Sequence, residues 1–284
     1  MRIGYLGPPG TFSDEALSLC DLAQGAEPVP FATFAEAYEA ALSGAVDAAL
    51  LPIENSIEGS ITAVLDLMVH RPGLRIRREV LLAVRQCLLG PAGTRLSEVR
   101  RVLSHPQPLG QCARYLREKL PGAALEATRS TTEAAAKVAG GEPGAAALGS
   151  RAAVKLYGLA VLAEDIQDAS ENLTRFVLVA REDEAPTGAD RTSIAFTLDR
   201  DRPGGLYEVM GEFARRGLNL SKIESRPTRA SMGHYIFFLD FEAHRRDASG
   251  AEALAGVLAR VDRLHLLGSY PRCPVPGEGR GEAR

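Results

Sequence analysis

Along the chain, short strand-like apolar runs take turns with longer segments whose apolar residues recur at helical spacing. Runs at Arg2–Leu6, 28–31 and 47–53 enclose helices that begin at Thr11 and Phe34, a βαβα rhythm. In the second helix Phe34, Ala37, Tyr38, Ala41 and Leu42 share one face, and Gly44 follows where a left-handed cap is wanted. That face should cover a sheet. The rhythm resumes with strands at 101–104, 124–128 and 145–148 and helices from Pro108, Thr131 and Ser150, so two α/β lobes are expected. After a strand at 176–180, residues 183–190 become polar and turn-rich and read as a linker. Beyond it come a strand at 193–198, a helix with Leu206, Val209, Met210, Phe213 and Ala214 on one face, and strands at 218–225 and 234–241. A helix carrying Leu254, Val257, Leu258 and Val261 and a short run at 264–268 complete a ferredoxin-like βαββαβ order. From Pro271 the residues are Pro, Gly and charged, which predicts a disordered tail over 271–284.

Composition agrees with two such units: 284 residues, 45% hydrophobic and 24% charged, is the balance of a globular chain with a core, and it excludes disorder, collagen and coiled coil. Lys+Arg 33 against Asp+Glu 36 leaves a net charge of -3, so nothing recommends nucleic acid or an anionic membrane as a partner. Attraction for an anion must be local. The N-terminus runs straight into a strand without signal-peptide character, and the apolar stretch 80–89 is interrupted by Arg85 and Gln86, so a cytoplasmic protein without a membrane span is expected. Cys20, Cys87, Cys112 and Cys273 are scattered, which favours reduced thiols over disulfides or zinc.

Small and polar residues gather where strands hand over to helices: Gly10-Thr11, Asn55-Ser56, Ser104-His105-Pro106-Gln107, Ser130-Thr131-Thr132 and Gly149-Ser150. Thr11 with Asp14 and Ser130 with Glu133 fit the capping-box pattern, so part of this is helix punctuation. The rest fits a crevice at strand ends, where helix N-termini offer N–H groups to a small carboxylate. Gly4, Gly7 and Gly10 are spaced GxxGxxG rather than GxGxxG, and phosphate-loop, HExxH and GxSxG patterns are absent. His105 reads equally as a loop imidazole or an acid–base group. By spacing alone Arg175 is a surface charge.

Taken together, Gly4 to Ser13, Leu51-Pro52-Ile53-Glu54-Asn55-Ser56-Ile57-Glu58-Gly59, Ser104 to Pro108, Ala147 to Ser150 and Thr174-Arg175-Phe176 resemble the motifs of the prephenate dehydratase family, in order. Gly204-Gly205-Leu206-Tyr207 and Glu224-Ser225-Arg226-Pro227 resemble the two signatures of that family's ACT regulatory domain, with Gly205 standing where the family often has alanine. The resemblance implies a two-lobed, periplasmic-binding-protein-like catalytic domain over 1–182, with lobe 1 at about 1–75 and 165–182 and lobe 2 at about 76–164, followed by a ferredoxin-like ACT domain over 191–270.

It also implies decarboxylative dehydration of prephenate to phenylpyruvate without metal or organic cofactor. Thr174 would then help the hydroxyl depart and Arg175 would pair with a carboxylate, while Asn55, Ser56, Ser104, Gln111, Thr11, Ser130, Thr131 and Phe176 would bind substrate. A threonine hydroxyl suits this as a preorganised hydrogen-bond donor. L-Phenylalanine as feedback inhibitor would bind between two ACT domains near Gly204, Gly205, Leu206, Asn219, Leu220, Glu224, Ser225, Arg226 and Pro227, which implies a homodimer or homotetramer. Two alternatives remain open: an arogenate dehydratase, and a non-catalytic sensor of carboxylates or amino acids.

Overall fold

The computed structural model describes residues 1–198, 203–228 and 235–274. The first lobe is built on β1 (Arg2–Leu6), β2 (Glu27–Phe31), β3 (Ala48–Asn55), the short β4 (Gly59–Ser60) and β5 (Arg75–Ala83). The second contains β6 (Cys87–Gly90), β7 (Arg101–Ser104), β8 (Ala124–Ala127), β9 (Ala145–Gly149) and β10 (Ala160–Ala163). β11 (Leu173–Ala180) then returns to the first sheet, giving the order β2-β1-β3-β11-β5 with β4 beside β3, against β10-β6-β9-β7-β8 in the second. In each sheet three neighbouring strands that include one edge run parallel, β2-β1-β3 and β8-β7-β9, and the pairings beyond them are antiparallel. The third sheet has β12 (Asp190–Thr197), β13 (Leu220–Pro227), β14 (Tyr235–Phe241) and β15 (Arg263–Pro271) in the antiparallel order β13-β14-β12-β15.

Among the described helices are α1 (Phe12–Leu19), α2 (Phe34–Ser43), α3 (Thr62–His70), α4 (Pro106–Gln111), α5 (Ala113–Lys119), α6 (Thr131–Ala139), α7 (Ala152–Tyr157), α8 (Gly205–Ala214) and α9 (Ala248–Leu258). α2 shows how they are specified. Thr33 caps the N–H of Glu36 at 3.1 Å, Ala37, Tyr38, Ala40 and Ala41 are buried, and Gly44 ends the helix at φ 84, where glycine has no Cβ to clash.

Ile76 on one face of β5 and Val80 and Leu82 on the other are buried in cores of the first lobe, so the chain leaves that lobe after Ala83 rather than at 76. Ile166 packs in the core of the second lobe, and the return to the first comes at Asn172 and Leu173 rather than at 165. The two crossings touch: the Val84 N–H donates to the Asn172 carbonyl at 2.7 Å, and the Gln86 N–H to Gln167 Oε1 at 2.9 Å.

The third sheet lies against the first lobe, with one apolar core running through both: Leu51, Val64, Val177 and Val179 pack with Ala195, Ile236, Phe238, Leu267 and Tyr270. At Gly268 (φ 146) an added Cβ would sit 2.5 Å from the backbone N and O of Ile76, so only glycine lets β15 come this close to β5. The linker is tethered, since Arg245 grips Asp183 through two hydrogen bonds of 2.7 and 2.8 Å. The tail expectation needs correction at its start: Pro271 pairs with Asp190, the Arg272 N–H donates to the Ala189 carbonyl at 2.9 Å, and the Cys273 N–H donates to Glu79 Oε1 at 2.8 Å. Backbone hydrogen bonds order this stretch although its side chains bury little. Residues 275–284, and His234 at the start of the expected third strand of this domain, lie outside the described residues.

Candidate active site

The floor of the cleft between the lobes is a pair of neighbouring strands. Asn55 at the end of β3 and Thr174 near the start of β11 are register partners, each only 9% exposed. The Asn55 Oδ1 accepts the backbone N–H groups of Ile57 and Glu58, both at 3.0 Å, and this fixes which way the amide faces. Its Nδ2 therefore donates to Thr174 Oγ1 at 2.9 Å and Asn172 Oδ1 at 2.7 Å. Since Thr174 is the acceptor in that contact, its own proton is left to be offered to the cavity. The register shifts between Arg175 and Phe176, a bulge of the kind that re-aims side chains beside functional sites.

Thr174 and Asn55 open into a cavity of about 500 Å³, which Thr11, Gln111, Ser130, Thr131 and Phe176 also line. Thr11 and Ser130 cap α1 and α6, accepting the N–H groups of Asp14 and Glu133 at 3.3 and 3.0 Å, so the positive ends of two helix dipoles reach the cavity from different lobes. Phe12, Phe34, Pro52, Ile61 and Phe176 give it an apolar side suited to a ring. Beneath the Thr11 loop, burial and the neighbouring Asp14 carboxylate push the Tyr5 hydroxyl up to about 12.

Three expected ligands are turned elsewhere. Arg175 does not reach the cavity: on an extended strand its side chain points to the face opposite Thr174 and is buried between the first lobe and the third sheet. There it donates to Glu79 Oε2 at 2.9 Å, Asp240 Oδ2 at 2.7 Å and the Tyr270 hydroxyl at 2.6 Å. Burial alone would disfavour its charge, but Tyr270, Asp240 and Glu79 outweigh it and hold the guanidinium protonated. Ser104 is fully buried and donates to the Leu148 carbonyl at 2.9 Å, tying β7 to β9. Ser56 crosslinks its turn to the start of β11, accepting from the Leu173 N–H at 3.0 Å, and does not line the cavity.

The expected effector residues also divide. Gly204 caps α8 with Gly205 as the first helical residue, and Asn219 leads into β13, but Leu206 and Leu220 pack into the third domain's own core. Along β13 the side chains alternate: Ile223, Ser225 and Pro227 are exposed, while Lys222, Glu224 and Arg226 face the first lobe. Glu224 accepts from the Ser60 hydroxyl, and Arg226 donates to Asp66 Oδ1 at 2.8 Å, so Glu224 and Arg226 spend their charges on a domain contact rather than on a ligand.

The structure adds residues that the sequence reading passed over. Arg129 supplies a largely exposed guanidinium at the cavity, directly before the Ser130 cap, and that adjacency was the signal for it. Gln86, 1% exposed, lines the cavity; its Nε2 donates to Gln111 Oε1 at 3.3 Å, and its Oε1 is buried without a partner among the described residues. Its signal was a polar residue breaking an apolar run. Gln107 of the second lobe donates to Glu58 of the first at 2.5 Å, and Ser150 donates to the Gly10 carbonyl at 3.0 Å, so two contacts join the lobes beside the cavity. His105 lines it too, with Nδ1 accepting the Gln107 N–H at 3.4 Å as the cap of α4. Among the described residues no group of three His, Cys, Asp or Glu side chains is placed to hold a metal, and no helix is long and apolar enough to cross a membrane.

Known proteins are similar to this chain in sequence and in fold. The prephenate dehydratase family model matches residues 3–184, and the ACT domain model matches residues 192–259. The chain is 43% identical to a chloroplastic arogenate dehydratase/prephenate dehydratase of Arabidopsis thaliana, over 95% of this chain and 73% of the relative. It is 41% identical to the prephenate dehydratase of Amycolatopsis methanolica, over 95% and 88%. The crystal structure of Arthrobacter aurescens prephenate dehydratase in complex with L-Phe superposes with a TM-score of 0.88 at 39% identity, over 96% of this chain and 90% of that one. With a cleft floored by Asn55 and Thr174 and an ACT sheet behind it, the chain belongs to the prephenate dehydratase family.

Proposed function

We propose that the protein converts prephenate to phenylpyruvate, carbon dioxide and water, and that phenylalanine inhibits it through the ACT domain. The observation that carries the reading is the Asn55–Thr174 pair, an oriented amide that leaves the threonine proton to the cavity. In the reaction the electrons of the ring carbon–carboxylate bond move into the ring as carbon dioxide leaves, and the ring hydroxyl departs on the opposite carbon with its electron pair. One proton taken up overall completes the water. A threonine hydroxyl keeps its proton near neutrality, so Thr174 stabilises the departing oxygen with a fixed hydrogen bond and solvent supplies the proton.

Arg129, rather than Arg175, is the cation for a substrate carboxylate, with the N-termini of α1 and α6 adding positive potential. Gln86 Oε1, without a partner among the described residues, accepts from a substrate O–H. Phe12, Phe34 and Phe176 exclude water from the ring and so favour loss of its carboxylate charge. The L-Phe complex of the Arthrobacter protein supports phenylalanine as effector. The open edge of β13, with Ile223 and Ser225 exposed, supports association of two ACT domains around it.

The test is product formation by the purified chain offered prephenate and arogenate separately, with and without phenylalanine. Phenylpyruvate from prephenate, suppressed by phenylalanine, is expected. Turnover of arogenate alone would reassign the substrate, and turnover of neither by folded protein would leave the sensor reading.

A further inference from the structure

We propose that Arg175 is a positioning residue through which the ACT domain holds the catalytic floor in place. The inference rests on the reading of Thr174 as the group that assists the departing hydroxyl. β3 and β11 present two register pairs in succession: Asn55 with Thr174, open to the cavity, and Glu54 with Arg175, on the opposite face. Because side chains alternate across a strand, a force on the second pair is delivered to the first through a single peptide unit on each strand.

The ACT domain grips that second pair at several points. Asp240 on β14 and Tyr270 on β15 take two arms of the Arg175 fork at 2.7 and 2.6 Å, and Ser193 on β12 holds the Tyr270 hydroxyl at 2.6 Å. Lys222 on β13 pairs with Glu54 at 3.0 Å and donates to Ser60 at 2.7 Å. Within the first lobe Glu79 takes the remaining arm of Arg175 and also receives Arg191 at 2.6 Å. Arg175, Glu79 and Asp240 have side chains at most 8% exposed, and the two guanidinium charges face the two carboxylates of Glu79 and Asp240. A buried ion cluster adds little stability over an apolar contact of the same size, but it fixes direction and distance. Guanidinium suits this because its donors are set at rigid angles. A shift of β13 or β14 against the first lobe therefore cannot leave Glu54 and Arg175 where they are, which is how an effector bound to the ACT domain would change the geometry at Asn55 and Thr174.

The experiment uses Tyr270→Phe, which removes one hydroxyl and keeps the ring, with Asp240→Asn as a second, shape-conserving cut should the first fail to fold. Steady-state kinetics on prephenate, calorimetric binding of phenylalanine, and hydrogen exchange of peptides covering 50–56 and 173–178 are compared with the parent. The expected result is a kcat about tenfold lower with KM within about twofold, phenylalanine still bound, and its inhibition reduced by more than half. Faster exchange is expected in those two segments. Parental kcat, inhibition and exchange in a folded variant would overturn the proposal, as would a rise in KM with kcat unchanged. If the parent binds no phenylalanine, the effector reading falls and the kcat loss decides the positioning role. If neither substrate turns over, the function falls and the exchange result decides the coupling.

Discussion

Glu79 is the test of how much the buried cluster matters to the stability of the chain. Its side chain has no exposed surface and accepts from Arg175 at 2.9 Å, Arg191 at 2.6 Å and the Cys273 N–H at 2.8 Å. Glu79→Gln keeps the shape but exchanges one acceptor oxygen for a donor. Whichever way the amide turns, either the two guanidinium groups or the Cys273 N–H then faces an N–H instead of an oxygen. It also removes the charge between the two arginines. Breaking a buried pair by removing one partner costs about 3–5 kcal/mol. At roughly 2–3 °C per kcal/mol for a chain of this size, that lowers the melting temperature by about 6–15 °C. The control is Arg71→Gln, which breaks a pair of similar length, 2.8 Å to Glu39, with both side chains more than 40% exposed. There a loss of about 1 kcal/mol or less is expected. Thermal melts followed by circular dichroism read both. Equal shifts for the two variants would refute the argument, because they would show that burial gives the cluster no added weight.

Arg129→Gln should raise KM for prephenate by about 10- to 100-fold with a smaller change in kcat, the loss of one charge-assisted contact to a carboxylate; an unchanged KM in steady-state assays would remove Arg129 from substrate binding. Burial alone would raise the Asp183 carboxyl, but Arg245 and the Ser269 N–H outweigh it and hold it below its ordinary 3.8. The unfolded chain thus takes up this proton at higher pH than the native one, so the stabilisation is present above 3.8 and is lost as pH falls through the depressed native value. Melting temperature measured across that range should fall less steeply in Asp183→Asn, and an identical slope would contradict the linkage. Burial pushes the Cys87 and Cys112 thiols up to about 11 and 12 and raises Cys20 as well, while Cys273 is partly exposed. A colorimetric thiol titration should therefore show one fast thiol and three that wait for unfolding; several fast thiols would contradict the packing.

Much of this architecture was legible because periodicity and punctuation agree. α2 shows both, with its apolar face and the Gly44 stop where they were expected. The strand–helix junctions that stood out as a crevice do bring Thr11, Asn55, Ser130 and Thr131 to one cavity. β5 was not legible, because Arg75, Arg77, Arg78 and Glu79 break its apolar pattern and β15, the strand that covers it, comes almost 200 residues later in the chain. Arg175 was misread for the same reason. A motif gives residue order but not strand face, and the alternation that aims Thr174 at the cavity sends its neighbour to the ACT domain. Ser104 shows the converse error: it sits at the right strand end, yet its hydroxyl is used up by the Leu148 carbonyl. Glu224 and Arg226 are charged residues whose partners, Ser60 and Asp66, could be found only once the domains were docked.

The most direct test of the central claim, that the Thr174 hydroxyl stabilises the departing oxygen, is kcat for Thr174→Val beside Thr174→Ser on prephenate. Valine keeps the branched shape and loses the donor, whereas serine keeps the hydroxyl that Asn55 orients. The account predicts a kcat loss of about 10²- to 10³-fold in the valine variant, most of the activity retained by serine, and KM changed little in either. A valine variant within about threefold of the parent would contradict it.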